Sequence, residues 1–358
     1  MNRQAFKRNM EIVERYKAFH ASSRPGLMVR TAMPAPGMKK RPLALNGLDW
    51  TNEKSCRSYA KAMLDYLRGY WKVAPVVDDD DLRKVQNLAG TGVVAAAYVR
   101  DAVVTQETDT NYLDQPIRDW DRDSGRIGFD PGNPWYRAQM WMLREYVEQW
   151  DGTYGIIPYT HFDPLDLANQ WRGNDLFYDY TDHPAELRAL LETATRSVLE
   201  LEAHMRANHL TGYGFPGCFM GCWVPGDYLS CDAGDLSSPA VLAEWGVPYT
   251  QRIVQEWGGA FLHHHELGLH QIETWSRCKG LTLQFPNRDP NTEHMANVIT
   301  DAMLESSFRV ALGFIATYNE FVRSADRFAK GKCVISVICE DRAQAERAAA
   351  IARANRNF

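Results

Sequence analysis

Along residues 3–19 apolar side chains recur every three or four positions, the spacing of one face of an amphipathic helix. Arg24-Pro25-Gly26 breaks that pattern, and Leu27 to Thr31 reads as a short strand. Ala32 to Pro42, with its prolines and lysines, reads as a loop or lid. Asn52 predicts the start of a helix through Trp71, and Asp79 to Leu88 reads as another. Thr91 to Val99 is small and β-branched without alternation, as in a strand buried on both faces. Asn133-Pro134 opens a helix over 132–150, a capping side chain followed by proline in the first turn. Tyr154 to Thr160 reads as a strand, with Asp163-Pro164 capping the helix after it. A long helix then runs from Asp182-His183-Pro184 to about Asn208. Further strands are predicted at Tyr228 to Asp232, Gly259 to His265, Leu281 to Phe285, Phe308 to Phe314 and Val334 to Ile338. A helix starts at Ser237-Ser238-Pro239, and each strand lies next to a helical segment.

Strands alternating with helices imply parallel βα units. Without a Gly-rich nucleotide fingerprint, a (β/α)8 TIM barrel is favoured over a doubly wound sheet. The 358 residues exceed the roughly 250 of a bare barrel. With no composition break, the expectation is one α/β domain over 1–358, with 1–25 as an N-terminal helical extension. Composition adds little beyond exclusions. A net charge of -5 without a basic cluster argues against nucleic acid as a partner. The amino end is charged and lacks an apolar signal core, and no apolar run reaches the roughly 18 residues of a membrane span. Seven scattered cysteines read as reduced thiols, so the expectation is a soluble cytoplasmic protein. The 11 Trp and 16 Tyr suit a large core and a pocket wall for a small molecule.

In a barrel, catalytic groups sit at the carboxyl ends of strands. His263 and His265 are two apart on a strand, so both rings face one side and can share an ion or a substrate. Neutral imidazoles suit Zn, Fe, Ni or Cu, and Asp232, Cys231 or Glu266 could complete the set. The alternative is that one His is a general acid or substrate donor and the others support it. Asp232 ends a predicted strand and suits metal binding, acid/base work or simple capping. Cys231 and His264 should face the opposite side. His270 falls in the segment after the strand, within reach of substrate. Arg30, ending the first strand, could pair with a carboxylate. Tyr159 and His161 are candidate substrate contacts, whereas Asp163 reads as a cap. Arg288-Asp289 follows the strand at 281–285 and reads either as a substrate clamp or as a salt bridge ordering its loop. Cys218 and Cys222 read as free thiols, and the acidic run Asp78 to Asp81 as a solvated helix start.

Three blocks carry a resemblance: Gly155 to Gly173 followed by Asp182 to Glu186, then Leu229 to Tyr249, then Gly259 to Gly268. In this order and spacing they resemble the uroporphyrinogen decarboxylase superfamily, which includes the coenzyme-M and corrinoid methyltransferases. The resemblance covers roughly residues 90–315 and implies a TIM barrel, often dimeric. It places the superfamily's strand-end Asp at Asp232. It also implies a late cysteine ligand, for which Cys339 is the candidate. The sequence departs from the decarboxylases in having only Arg30 where they carry an Arg-rich loop. It departs from the zinc methyltransferases in having His265 where their His-x-Cys pair has cysteine. Three functions follow. A metal-assisted methyltransferase would use zinc on His263, His265, Asp232 and Cys339, with a methyl-corrinoid, and so a corrinoid protein, as co-substrate partner. A cofactor-free decarboxylase or lyase would act on a carboxylated, porphyrinogen-like substrate. A binding barrel would have kept the pocket without the chemistry.

Overall fold

The computed structural model describes residues 3–34, 48–74, 76–87, 89–106, 111–213 and 221–358. The expected loop or lid at Ala32 to Pro42 lies mostly outside them, as does Cys218. Helix α1 (Arg3–Ala21) leads into strand β1 (Gly26–Ala32), and the Asn52 side chain caps α2 (Glu53–Val73) as expected. Next come β2 (Lys84–Gln86), α3 (Thr91–Ala96), the hairpin β3 (Val104–Gln106) and β4 (Asn111–Leu113), and α4 (Trp120–Asp123). Helix α5 (Pro134–Glu148) starts at the Asn133 cap, whose Oδ1 accepts the N–H groups of Trp135 and Tyr136. Then follow β5 (Gly155–Ile157), β6 (His161–Phe162), α6 (Pro164–Arg172), α7 (Leu176–Asp182) and α8 (Pro184–Ala207). The carboxyl half contains β7 (Asp227–Ser230), α9 (Asp232–Asp235), α10 (Pro239–Trp245), α11 (Val247–Trp257), β8 (Ala260–His265) and α12 (Ile272–Trp275). It ends with β9 (Leu283–Asn287), α13 (Met295–Val298), α14 (Asp301–Ser306), β10 (Ala311–Thr317), α15 (Tyr318–Phe328), β11 (Lys332–Ile338) and α16 (Arg342–Ala354).

Seven strands form one parallel sheet in the order β1-β11-β10-β9-β8-β7-β6, and β5 pairs in parallel with β2. The protein is therefore α/β with a large parallel sheet. Alternation along the strands sorts side chains into two packings. Met28, Val334, Phe285, Phe261 and Tyr228 meet in an inner cluster. Leu27, Val29, Phe314, Ile335 and Val337 pack outward with helix residues such as Phe321 and Ala348. Helix α1 contributes Ile12, Tyr16 and Phe19 to the same cluster.

Several sequence expectations are corrected. Residues 91–96 form a helix, not a strand; Gly92 to Ala96 are all buried, so no amphipathic period marks the segment. Asn111 holds this helix's start, accepting the Val93 N–H at 2.9 Å and donating to Ala89 O at 2.8 Å. The Asp79 to Leu88 segment is not a helix. Asp79 and Asp80 are buried, and they satisfy the free edge of β1 in place of a strand ladder. Asp80 N donates to Val29 O at 2.8 Å, Asp80 Oδ2 accepts Val29 N at 3.0 Å, and Asp79 Oδ2 accepts Thr31 N at 2.8 Å. Arg8, Arg15 and Arg356 offset the buried charge. The strand expected over 154–160 breaks near Pro158, which has no N–H for a ladder. The expected strands at 281–285 and 308–314 begin two or three residues later, at Leu283 and Ala311.

Candidate metal centre

Strand β8 fixes the site. Its residues alternate between Phe261, His263 and His265 on the inner side and Leu262 and His264 on the outer. Asp232 begins α9, just beyond the end of the neighbouring strand β7. The ligand atoms of Asp232, His263 and His265 lie within 4.8 Å of one another. Asp232 Oδ1 is 3.8 Å from His263 Nε2 and 3.6 Å from His265 Nε2. On the far side of its ring, His265 Nδ1 donates to Asp289 Oδ1 at 2.6 Å. That bond selects the tautomer whose Nε2 lone pair faces Asp232.

The electrostatics separate the two imidazoles. Burial, with His265 and His264 nearby, lowers His263 to about 3, so it is neutral at physiological pH and in its ligating form. Burial also works against charge on His265, but the carboxylates of Asp232 and Asp289 outweigh it and raise its pKa. Asp232 is half exposed, whereas His263 is 14% exposed, so the cluster opens toward solvent on the Asp232 side.

Two buried carboxylates hold this arrangement. Asp166 accepts the Asp232 N–H at 3.0 Å and the Ala233 N–H at 2.6 Å, anchoring the turn that presents Asp232. Asp235 accepts the His265 N–H at 2.6 Å and pairs with His264 Nδ1 at 3.2 Å. Gly268 permits that approach, because a Cβ there would lie 1.7 Å from Asp235 Oδ1. Sequence reasoning missed Asp166, Asp235 and the pairing of Asp289 with His265. Only the Asp289 pairing had a local signal, an acidic residue just past a strand end.

The remaining candidates are placed elsewhere. Cys339 follows β11 in the outward register of Cys333, Ile335 and Val337, and its Sγ donates to Val337 O. Burial, with Asp79 and Asp341, pushes its thiol up to about 11, and its sulfur is not among the ligand atoms that converge with Asp232, His263 and His265. Tyr159 and His161 are fully buried outside the inner core. Tyr159 Oη donates to Val94 O, and His161 packs against Tyr159 and Trp257, on the other side of the sheet from His263. Arg30 does point inward, but its Nε donates to Asp81 at 3.1 Å and its Nη1 to Ser336 at 3.2 Å. Arg288 and Asp289 do not pair with each other. Arg288 forks onto Glu320 and, against burial, holds that carboxyl down to about 2. His270 Nε2 donates to Ser237 O at 3.0 Å. Glu266 accepts Met295 N and pairs with His294, ordering its loop and not joining the cluster. Cys231 and His264 face outward as expected, and burial beside Asp163 and Asp166 drives the Cys231 thiol well up. Asp163 caps α6, as its sequence position implies.

No protein-family model matches the sequence, and no curated protein matches it. Among solved structures, a methyltransferase from Methanosarcina mazei superposes with a TM-score of 0.62. The match spans 96% of this chain and 98% of that one, at 12% identity. The likeness is one of fold, extending over essentially the whole of both chains.

Proposed function

We propose that this protein is a methyltransferase whose reaction centres on a metal ion held by Asp232, His263 and His265. The observation that carries the proposal is the convergence of these three groups at adjacent strand ends, with the His265 ring already oriented by Asp289. Two neutral imidazole nitrogens and a carboxylate oxygen are a donor set that suits zinc. Three protein ligands leave an open coordination position, as catalytic sites do. Zinc there would lower the pKa of a bound thiol and present it as a nucleophile to a methyl donor. The protein's own part is to keep His263 neutral, to hold His265 in one tautomer and to leave the Asp232 side open for entry.

The sequence blocks resembling the uroporphyrinogen decarboxylase superfamily support this reading, as does the fold shared with a protein named as a methyltransferase. The same likeness supports closure of the sheet into a (β/α)8 barrel. In that reading β2 and β5 complete the ring, and the Asp79–Asp81 run joins it to β1. A methyl-corrinoid is the proposed donor and a small thiol the acceptor. The alternative, a cofactor-free lyase for a carboxylated substrate, draws less support because Arg30 and Arg288 already pair with carboxylates.

The test is methylcobalamin demethylation with a panel of small thiols, comparing zinc-loaded and chelator-treated protein. Zinc-dependent methyl loss that disappears in His263→Ala/His265→Ala is expected. Turnover of a carboxylated substrate with equal rates after chelation would replace this reading with the lyase.

A further inference from the structure

A second constellation lies on the outer side of the sheet, in the packing between strands and helices. His161 on β6, Glu202 on α8 and Asp227 at the start of β7 bring their ligand atoms within 4.8 Å of one another. All three residues are buried. Neither ring nitrogen of His161 makes a hydrogen bond, and its nearest charged neighbour is Glu202 Oε2 at 3.6 Å. Glu202 Oε2 is also without a hydrogen bond. One other oxygen of each carboxylate is engaged. Arg206 donates to Glu202 Oε1 at 2.7 Å, and the Tyr228 N–H donates to Asp227 Oδ1 at 2.8 Å. Tyr159 and Trp257 both pack against the imidazole at a tilt, with centroids at 4.8 and 5.1 Å.

A fully buried imidazole with two unmet nitrogens beside two carboxylates is costly as it stands. Arg206 alone does not balance it, since its side chain is 52% exposed. A divalent ion would satisfy the imidazole and offset both carboxylates. We infer that His161, Glu202 and Asp227 form an enclosed site for a divalent transition-metal ion, separate from the centre at His263. Ligand atoms already this close need to move by less than roughly an ångström to reach the 2.0–2.2 Å of zinc–nitrogen and zinc–oxygen bonds. The enclosure marks a structural ion, one that pins α8 to the sheet. The donor set of one imidazole and two carboxylates suits zinc and its first-row neighbours.

The experiment uses the full chain, produced in zinc-supplemented medium and crystallised, with anomalous difference maps at the zinc edge. A peak bounded by His161, Glu202 and Asp227 is expected; a map without one there overturns the inference. Metal analysis adds an independent arm in His263→Ala/His265→Ala protein, where the other centre is disabled. That variant should retain about one equivalent of zinc. Adding Glu202→Gln should release it, and adding Asp227→Asn should do the same. Zinc retained in full by both added variants would also overturn the inference. Should these variants fail to fold, the wild-type map decides.

Discussion

Replacing Asp80 by alanine tests whether the acidic run fastens β1 to the rest of the sheet. The side chain is fully buried; its Oδ1 receives Arg15 Nε at 2.9 Å and Arg356 Nη2 at 2.6 Å, and its Oδ2 receives the Val29 N–H. Removing one partner of a buried ion pair costs about 3–5 kcal/mol. A stranded buried N–H adds about 1–3 kcal/mol. The arginine side chains are 26% and 18% exposed and regain some water, which pulls the expected loss back to about 3–5 kcal/mol. Asp80→Asn keeps an acceptor for Val29 and should lose roughly half as much. Arg15→Gln should cost only about 1 kcal/mol, because Arg356 remains and Arg15 is partly solvated. Equilibrium urea unfolding reads these losses as a falling midpoint at constant slope. An Asp80→Ala loss below about 1 kcal/mol would refute the reasoning, and the Asp80 side chain would then not be what fastens β1.

Asn133→Ala removes the α5 cap and two donors to Ala96 O and Val99 O, and should cost about 2–4 kcal/mol by urea unfolding. Asn133→Asp, which keeps the cap, should fall between it and wild type. Asp289→Asn should weaken zinc binding at the His263 centre about 10–100-fold in chelator competition while leaving the melting temperature of metal-free protein nearly unchanged. Burial lowers His20 to about 4, against a backbone bond to Trp223 O, while an unfolded His titrates near ~6.5. The unfolded chain therefore binds more protons between these values, so His20 favours folding above ~6.5 and that contribution is lost as pH falls toward 4. His20→Gln should flatten the stability–pH curve in that window by up to ~1.4 kcal/mol per pH unit. Parallel curves for the two proteins would remove His20 from the account.

The legible parts of the sequence are those where local chemistry and tertiary structure agree. Asn52, Asn133, Asp163 and Ser238 each accept a backbone N–H at the helix start where their position predicts it. The two-residue period places His263 and His265 on the inner side and His264 on the outer. The same parity argument, applied to β11, would have turned Cys339 outward, since Ser336 meets Arg30 inside and Cys339 is three residues on. Long-range partners account for most of what was not legible. Asp79 and Asp80 read as a solvated run because the N–H groups of Val29 and Thr31, and arginines as distant as Arg356, appear only in the fold. His161 sits in a strand-end block that suggests substrate contact. Its outward direction follows from its pairing with Leu229, whose side chain packs in the outer layer.

The central claim is a metal ion at Asp232, His263 and His265, and the most direct test compares bound metal in tag-free wild-type protein with the His263→Ala/His265→Ala variant. Mass-spectrometric metal analysis on zinc-reconstituted samples should find the variant short by about one equivalent per chain, whatever other sites hold. Equal metal content in the two proteins would contradict the account and remove the basis for metal-assisted methyl transfer.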